Sequence, residues 1–359
     1  MNDQHLLEIP APDFDLAMTL DSGQVFHWES SGRGFIGAIG DWPIYVEQRS
    51  EMLKVRCGEA PQPAREARAL PRIISDYFAL DHPLRKICAS FPNDPAMDAT
   101  RKFCRGLRII RQPKWECLAM FICSSMKQVA HIRQISRKLR ERFGDMRQID
   151  DHVIYTFPSP ERIAQSTEKE LRECALGYRA KNLLGTARAV ASGEADLNAW
   201  SALADADLRS RLCGLPGVGA KVANCVMLFA YERLKAFPVD VWIERVLREK
   251  YFPHARRLNA LRLRTFTDQY FGDHGGYAQQ YLFHHARMAS RKSGRARDFS
   301  TSLRAGRNDK KNARKSTKRG RNAAPECQSG PDRPRTAQRA VPTKMTKAHA
   351  CDNVSTLNS

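Results

Sequence analysis

Two residues that could act together as a nucleophile and a carboxylate stand 19 positions apart in the chain, Lys221 and Asp240. The pattern places Lys221 in the first turn of a helix, where the positive end of the helix dipole disfavours the charged ammonium and so favours a nucleophilic amine. Asp240 lies between Pro238 and an apolar run, where an isolated carboxylate indicates a specific structural or chemical role. Each residue also has an ordinary explanation, because the lysine could neutralise a phosphate and the aspartate could cap a helix beginning at Val241. Together they suggest a nucleophile and a carboxylate that act at one reacting carbon.

A glycine-rich linker precedes the lysine. The periodicity predicts helices over residues 203–213 and 220–231, joined by residues 214–219 (GLPGVG). Gly217 and Gly219 let backbone amides approach a phosphate with no β carbon in the way, and the second helix directs its positive dipole end to the same place. This helix–hairpin–helix pattern favours a grip on a DNA backbone, although a plain corner between two helices would also need glycine.

Composition narrows the class of protein that carries this segment. The 359 residues include 59 Lys and Arg against 39 Asp and Glu, a formal net charge of +20, which indicates a polyanionic partner and length for two domains. The longest apolar run, near residues 222–231, is about half of what a membrane-spanning helix needs, and the N-terminus lacks a signal-peptide pattern. We therefore expect a soluble intracellular protein. The 10 cysteines are dispersed without C-x-x-C spacing, which favours reduced thiols and predicts no metal site.

The secondary structure that must position these residues is predicted to change near residue 92, from mainly strands to mainly helices. Short apolar runs separated by turn residues predict an antiparallel sheet domain over residues 1–92, followed by a helical domain over residues 93–289. The expected strands cover residues 25–28, 34–39, 44–47 and 52–57, and a helix covers residues 70–80. Further helices are indicated by an apolar stripe from Val129 to Phe143, by Ser159 before Pro160, and by a capping box at Thr167 and Glu170.

Most of the excess positive charge lies at the C-terminus. Residues 290–359 hold 18 Lys and Arg against 5 Asp and Glu, with almost no large apolar side chains. Such a segment cannot bury enough surface to offset its ordering entropy, so we predict a disordered basic tail. It could be a solubilising or artefactual extension, or it could be a nonspecific nucleic-acid arm or nuclear-localisation signal.

Several segments together resemble one family, the 8-oxoguanine DNA glycosylase/AP lyases of the helix-hairpin-helix-GPD DNA glycosylase superfamily. The resemblance covers about residues 5–289. The superfamily pattern is represented by residues 215–223 (LPGVGAKVA) and 238–240 (PVD), and the narrower family pattern by residues 20–28 (LDSGQVFHW), 121–125 (FICSS), 177–181 (GYRAK) and 276–283 (GYAQQYLF).

The resemblance implies a role for each matching residue. Lys221 would attack C1′ of a flipped nucleotide and form a Schiff base after the base leaves, while Asp240 would stabilise the cationic transition state. In the base pocket, the Gly23 carbonyl would accept a hydrogen bond from the N7–H that 8-oxoguanine has and guanine lacks. Gln279 would read the Watson–Crick edge, and the base would stack between Phe283 and Cys225.

The resemblance also implies contacts to the rest of the DNA. Tyr178 and Arg179 would fill or border the hole left by the flipped base, and Gly217 and Gly219 would bind the backbone. The chain departs from the family after residue 125: Met126 and His131 stand where asparagines and an arginine usually hold the orphaned cytosine, with Lys127 and Gln128 between them. Trp242 and Ala286 occupy positions that often hold a phosphate-binding histidine and an acid near the pocket.

We therefore expect an α+β protein: an N-terminal antiparallel sheet domain, a helical glycosylase body and a disordered basic tail. The expected function is excision of 8-oxoguanine from duplex DNA with AP lyase activity, by a monomer that needs no cofactor and no metal, although hairpin carbonyls could hold a monovalent ion. Its partner would be double-stranded DNA containing oxidised purines, in the bacterial cytoplasm and nucleoid or in a eukaryotic nucleus. The alternatives are a glycosylase of the same superfamily for alkylated or mismatched bases, and a non-catalytic DNA-binding module in which Lys221 only neutralises phosphate.

Overall fold

The structure, a computed structural model, describes residues 6–58, 69–125, 127–255 and 258–292. Met126 and the predicted tail after residue 292 lie outside the described residues. All the described residues belong to one compact unit, Met1–Ala296. Among them, no helix is long and apolar enough to span a membrane.

A five-stranded antiparallel sheet forms the N-terminal part, in the order β1-β5-β4-β3-β2. Its core consists of side chains that alternate inward along β4 and β5, such as Ile44, Val46, Leu53 and Val55, each fully buried. The strands are β1 (Leu7–Pro10), β2 (Glu29–Ser31), β3 (Gly34–Ile39), β4 (Trp42–Arg49) and β5 (Met52–Cys57), and helix α1 (Leu16–Asp21) lies between β1 and β2. The antiparallel sheet is confirmed.

One predicted strand is wrong. Residues 25–28 form no strand, and the neighbouring strand β2 begins only at Glu29. Tertiary packing explains the difference, because two side chains that would share one face of a strand pack into different cores. Phe26 packs with Met120 of the helical region, whereas Trp28 lies in the sheet core and donates its indole N–H to the Tyr77 hydroxyl at 3.0 Å. Apolar periodicity alone could not separate this anchored segment from a strand.

The rest of the described chain is mainly helical, as predicted. The stripe from Val129 to Phe143 forms one helix, and the Ser159 cap and the Thr167 capping box are both present. The helices are α2 (Leu70–Tyr77), α3 (Leu84–Ala89), α4 (Pro95–Phe103), α5 (Lys114–Ser124), α6 (Val129–Phe143), α7 (Pro160–Ala164), α8 (Glu168–Leu171), α9 (Arg179–Ala191), α10 (Asp205–Cys213), α11 (Ala220–Ala230), α12 (Val241–Tyr251), α13 (Ala260–Tyr270) and α14 (Gly275–Lys292). A hairpin of β6 (Met146–Ile149) and β7 (His152–Tyr155), absent from the sequence prediction, follows α6.

The last helix, α14, is fixed against the middle of the chain. The hydroxyl of Tyr277 accepts a hydrogen bond from the backbone N–H of Ile109 at 3.2 Å, and the hydroxyl of Tyr281 donates to the carbonyl of Leu107 at 3.0 Å. Both tyrosines are buried. Helix α14 extends into the first residues of the predicted tail, 290–292, and the domain boundaries at 92 and 289 stay predictions.

Candidate active site

The glycine-rich linker joins α10 to α11 as predicted, and α9 supports it from behind. Gly217 has a positive φ of +80°, and a β carbon there would stand 2.7 Å from the β carbon of Asn182, so both conformation and space require glycine. The hydroxyl of Thr186 donates to the carbonyl of Pro216 at 3.0 Å. Gly219 caps α11 and has open space at its α carbon. The first amides of α11 therefore lie beside a position that a phosphate can approach.

Lys221 lies one residue inside α11 and is partly buried. Its Nζ donates to the hydroxyl oxygen of Ser124 at 3.3 Å, and it lies 5.1 Å from the ring centroid of Phe121. Ser124 donates its own proton to the carbonyl of Phe121 at 2.8 Å, which leaves the oxygen lone pairs free to accept from the lysine. The end of α5 thus orients the amine. Residues 121–125 match a family pattern, but the role of Ser124 does not follow from the sequence.

Asp240 has the structural role considered for it from sequence, that of a helix cap. It caps α12, since its Oδ1 accepts from the backbone N–H of Ile243 at 2.8 Å. Burial raises the pKa of the Asp240 carboxyl, while the charge of Lys221 and the amides at the start of α12 act in the opposite direction. The Asp240 carboxylate is therefore held at the start of α12, and it interacts electrostatically with Lys221 at the start of α11.

Cys225 follows Lys221 by one helical turn and is buried. Burial raises the pKa of its thiol to about 11, although a hydrogen bond with Lys221 and the charge of that lysine favour the thiolate. The thiol is therefore neutral at neutral pH, which suits an apolar contact rather than a competing nucleophile. The structure brings together three predicted site residues, Lys221, Cys225 and Asp240.

The predicted base pocket is assembled from two distant parts of the chain. Gly23 has a φ of +85°, and a β carbon added there would stand 3.1 Å from Cε1 of Phe283 and 3.6 Å from Cγ2 of Val129. Gln279 lies one turn before Phe283 on α14 and is 4% exposed, and its buried Oε1 has no hydrogen-bond partner within the described residues. Since a buried unpaired acceptor is costly, this atom is suited to a donor on a bound molecule.

Tyr178 and Arg179 stand at the start of α9 and differ in exposure. Tyr178 is 58% exposed, whereas Arg179 is 5% exposed and its guanidinium lies 4.4 Å from the Tyr178 ring centroid. Arg179 donates to the carbonyls of Leu176, at 3.3 Å, and of Ser125. Tyr178 is thus available to a partner, while Arg179 supports the loop that precedes Met126.

The residues at the positions expected to hold the orphaned base are only partly described. His131 and Gln128 are exposed at the start of α6, Lys127 is partly exposed, and Met126 lies outside the described residues. Trp242 and Ala286 are two further residues that depart from the family pattern. Trp242 lies in the first turn of α12 and Ala286 lies on α14, and both are partly buried.

Both parts of the chain match known protein families. Residues 6–118 match the 8-oxoguanine DNA glycosylase N-terminal domain, and residues 119–265 match the HhH-GPD superfamily base excision DNA repair proteins. The chain is 30% identical to the probable N-glycosylase/DNA lyase of Methanothermobacter thermautotrophicus over 79% of this chain and 96% of that protein. It is 29% identical to the N-glycosylase/DNA lyase OGG1 of Arabidopsis thaliana over 77% of this chain and 78% of that protein.

A solved structure is also similar. It is the 8-oxoguanine glycosylase/lyase of Clostridium acetobutylicum, crystallised with double-stranded DNA containing cytosine opposite 8-oxoguanine. The TM-score is 0.71 at 29% identity, and the match covers 81% of this chain and all of that chain (100%). The similarity therefore extends over both the sheet and the helical region.

Proposed function

The chain belongs to the HhH-GPD superfamily of base excision DNA repair proteins, and from this premise and the geometry of its site we infer that Lys221 is the nucleophile and forms a Schiff base with the sugar. The protein is an 8-oxoguanine DNA N-glycosylase with DNA lyase activity. The covalent step is the part of this function that we propose. The observation that carries it is an oriented amine at the start of α11 that interacts electrostatically with a buried carboxylate at the start of α12.

The proposed reaction begins at C1′ of the damaged nucleotide. The lone pair of the Lys221 Nζ forms a bond to C1′, and the bond from C1′ to the base breaks with its electron pair leaving on the base, which takes up a proton. The sugar carbon is cationic in the transition state, and the Asp240 carboxylate stabilises that charge. The nitrogen then loses a proton, and its lone pair forms the double bond to C1′ as the bond from C1′ to O4′ breaks. O4′ takes up a proton, the sugar ring opens, and the protonated imine results. The imine acidifies the hydrogen on C2′, so elimination of the 3′ phosphate cleaves the strand.

Base recognition is the second part of the proposal. The flipped base would stack on Phe283 with Cys225 on its other face, and it would present N7–H to the carbonyl of Gly23. The buried Oε1 of Gln279, which has no partner within the described residues, supports this arrangement because the edge of a base would supply a donor. Discrimination from guanine would then depend on the one proton at N7.

Contacts to the duplex complete the proposal. The amides after Gly217 and Gly219 would bind a phosphate beside the lesion, and the exposed ring of Tyr178 would occupy the space left by the flipped nucleotide. We expect the protein to act as a monomer inside the cell, without a metal in the reaction.

Trapping with borohydride tests the covalent mechanism. The protein is incubated with duplexes containing 8-oxoguanine, sodium borohydride is added, and covalent protein–DNA adducts are counted after denaturation. We expect an adduct for the wild type and none for Lys221→Gln, because only an imine is reduced to a stable bond. The matched control is Lys250→Gln, which removes an exposed lysine at the other end of α12.

Four outcomes would contradict parts of the proposal. Trapping by Lys221→Gln would mean that another amine is the nucleophile. Base release without any adduct would mean that water attacks the sugar. Activity only on alkylated or mismatched bases would mean that the protein is a glycosylase with another lesion preference. DNA binding without base release would mean that it is a non-catalytic DNA-binding module.

A further inference from the structure

The turn that carries Gly23 is held by two side chains of α14. The Gln280 side-chain amide donates to the carbonyl of Ser22 at 3.0 Å. Seven residues later on the same helix, Nη2 of Arg287 donates to the carbonyl of Asp21 and to its Oδ2, the latter at 3.0 Å. Consecutive carbonyls just before Gly23 are therefore both fixed to one helix.

Phe283 lies between these two side chains on α14. Residues 280, 283 and 287 share one face of the helix because they are spaced by three and four residues. The ring of Phe283 is the nearest side chain to the position that a β carbon at Gly23 would occupy. Among the described residues, no donor reaches the carbonyl of Gly23, whereas those of Asp21 and Ser22 are both occupied.

The ion pair at Asp21 is more than a surface contact. Asp21 also pairs with Arg133 at 2.9 Å and Arg291 at 3.4 Å, but both of those arginines are substantially exposed. Arg287 is 5% exposed, and burial lowers its pKa to about 10, so it is still charged at neutral pH. Of the three arginines, only Arg287 donates to the Asp21 backbone as well as to its carboxylate in the described contacts. The buried cation thus acts on the main chain next to Gly23.

We propose that Arg287 is a positioning residue for lesion recognition: by holding the Asp21 carbonyl and carboxylate, it sets where the Gly23 carbonyl lies relative to the base that stacks on Phe283. The proposal rests on the proposed function, since it concerns the readout of the N7–H. It adds a residue for which no contact with the base is proposed. Gln280 holds the other side of the same turn.

The test compares a step that needs the base with one that does not. Single-turnover excision of 8-oxoguanine requires the Gly23 carbonyl, whereas cleavage of a preformed abasic site requires Lys221 but no base. For Arg287→Leu we expect excision to slow by about tenfold or more and abasic-site cleavage to stay within about twofold of wild type. Arg291→Leu is the matched control, because it removes a partner of the same carboxylate that makes no contact with the Asp21 carbonyl; both rates should be unchanged.

Each remaining outcome is decisive. Equal excision by Arg287→Leu and wild type would overturn the proposal, and so would a parallel loss of excision and abasic-site cleavage, which indicates general damage to the fold. If Arg287→Leu does not fold, Gln280→Leu is measured by the same two rates, and the same selective loss is expected. A wild-type enzyme that cleaves neither substrate would contradict the proposed function itself.

Discussion

Nζ of Lys221 lies 3.3 Å from the hydroxyl oxygen of Ser124, and that hydroxyl donates its proton to the carbonyl of Phe121. The hydroxyl oxygen is thereby oriented to accept a hydrogen bond, and this bond holds the Lys221 amine near the end of α5. This contact joins α5 to the first turn of α11 and limits the directions from which Lys221 can approach a sugar.

Loss of this hydroxyl should slow the covalent step. For Ser124→Ala we expect borohydride trapping in single turnover to slow by about tenfold, because the amine loses the contact that orients it for attack. Binding of undamaged duplex should be unchanged. Ser124→Thr, which keeps a hydroxyl, is the control and should restore most of the rate. A normal trapping rate for Ser124→Ala would mean that α5 does not orient the amine.

The parts of the site that depend on local pattern could be predicted from sequence. The hairpin, the start of α11 before Lys221 and the cap at Asp240 each follow from residues within a few positions of one another. Ser124 and Arg287 could not be assigned roles in this way, because their contacts join residues 97 and 266 positions apart. The wrong strand prediction at residues 25–28 has the same origin, since Phe26 and Trp28 pack in different hydrophobic cores.

Asp240→Asn should separate catalysis from folding. Asparagine caps a helix about as well as aspartate, so we expect DNA binding and the free energy of unfolding to change little. Excision should slow by two orders of magnitude or more, because a group that stabilises developing charge is worth about 3–4 kcal/mol. Single-turnover rates with 8-oxoguanine duplexes measure this effect. A near-normal rate would reduce Asp240 to the cap of α12.

As the pH is lowered, the rate of excision should begin to fall at a higher pH than the usual pKa of an aspartate would give. Burial raises the pKa of Asp240, so its carboxylate is protonated, and stops stabilising the cation, at a higher pH than an exposed aspartate would be. We expect an acidic limb in the single-turnover pH profile that Asp240→Asn lacks. A limb of the same size and position in both proteins would assign the titration to another group.

The contribution of Asp240 to the free energy of unfolding should depend on pH in the opposite direction to the excision rate, and it should increase as the pH is lowered. A raised folded-state pKa means that Asp240 contributes most to the free energy of unfolding below its unfolded pKa, and that this contribution is lost as pH rises through the folded value. The difference in stability between wild type and Asp240→Asn should therefore move in favour of the wild type as pH is lowered. Denaturant unfolding of both proteins across this range measures it, and a constant difference would contradict the assignment.

The basic tail should add DNA affinity without affecting chemistry. Removal of residues 293–359 keeps α14 and the Arg291 contact to Asp21 intact, so we expect excision rates under saturating enzyme to be unchanged. Nonspecific affinity should weaken and its salt dependence flatten, because every phosphate that the tail no longer neutralises lowers the slope by about 0.9. A full-length variant with tail Lys and Arg replaced by Gln controls for length. Identical slopes with and without the tail would exclude a DNA arm.

Discrimination of the base opposite the lesion should be weak. His131 offers an imidazole where a guanidinium would offer five donors, and Arg179 already donates to the carbonyls of Ser125 and Leu176. A missing bidentate hydrogen-bond pair reduces discrimination by about 1–3 kcal/mol, which brings 8-oxoguanine opposite adenine, guanine or thymine within reach. Lys127 or Gln128 could compensate only by reaching the same edge from the start of α6.

Single-turnover excision with 8-oxoguanine opposite each of the four bases measures this discrimination, and we expect a cytosine preference below about a thousandfold, which is about 4 kcal/mol. His131→Arg supplies a fork of donors at an exposed position of α6 and should raise the preference for cytosine. His152→Arg, at an exposed position on β7, is the matched control and should not change it. A wild-type preference above a thousandfold would mean that this loop reads cytosine with the residues it has. No gain in His131→Arg would mean that residue 131 does not face the orphaned base.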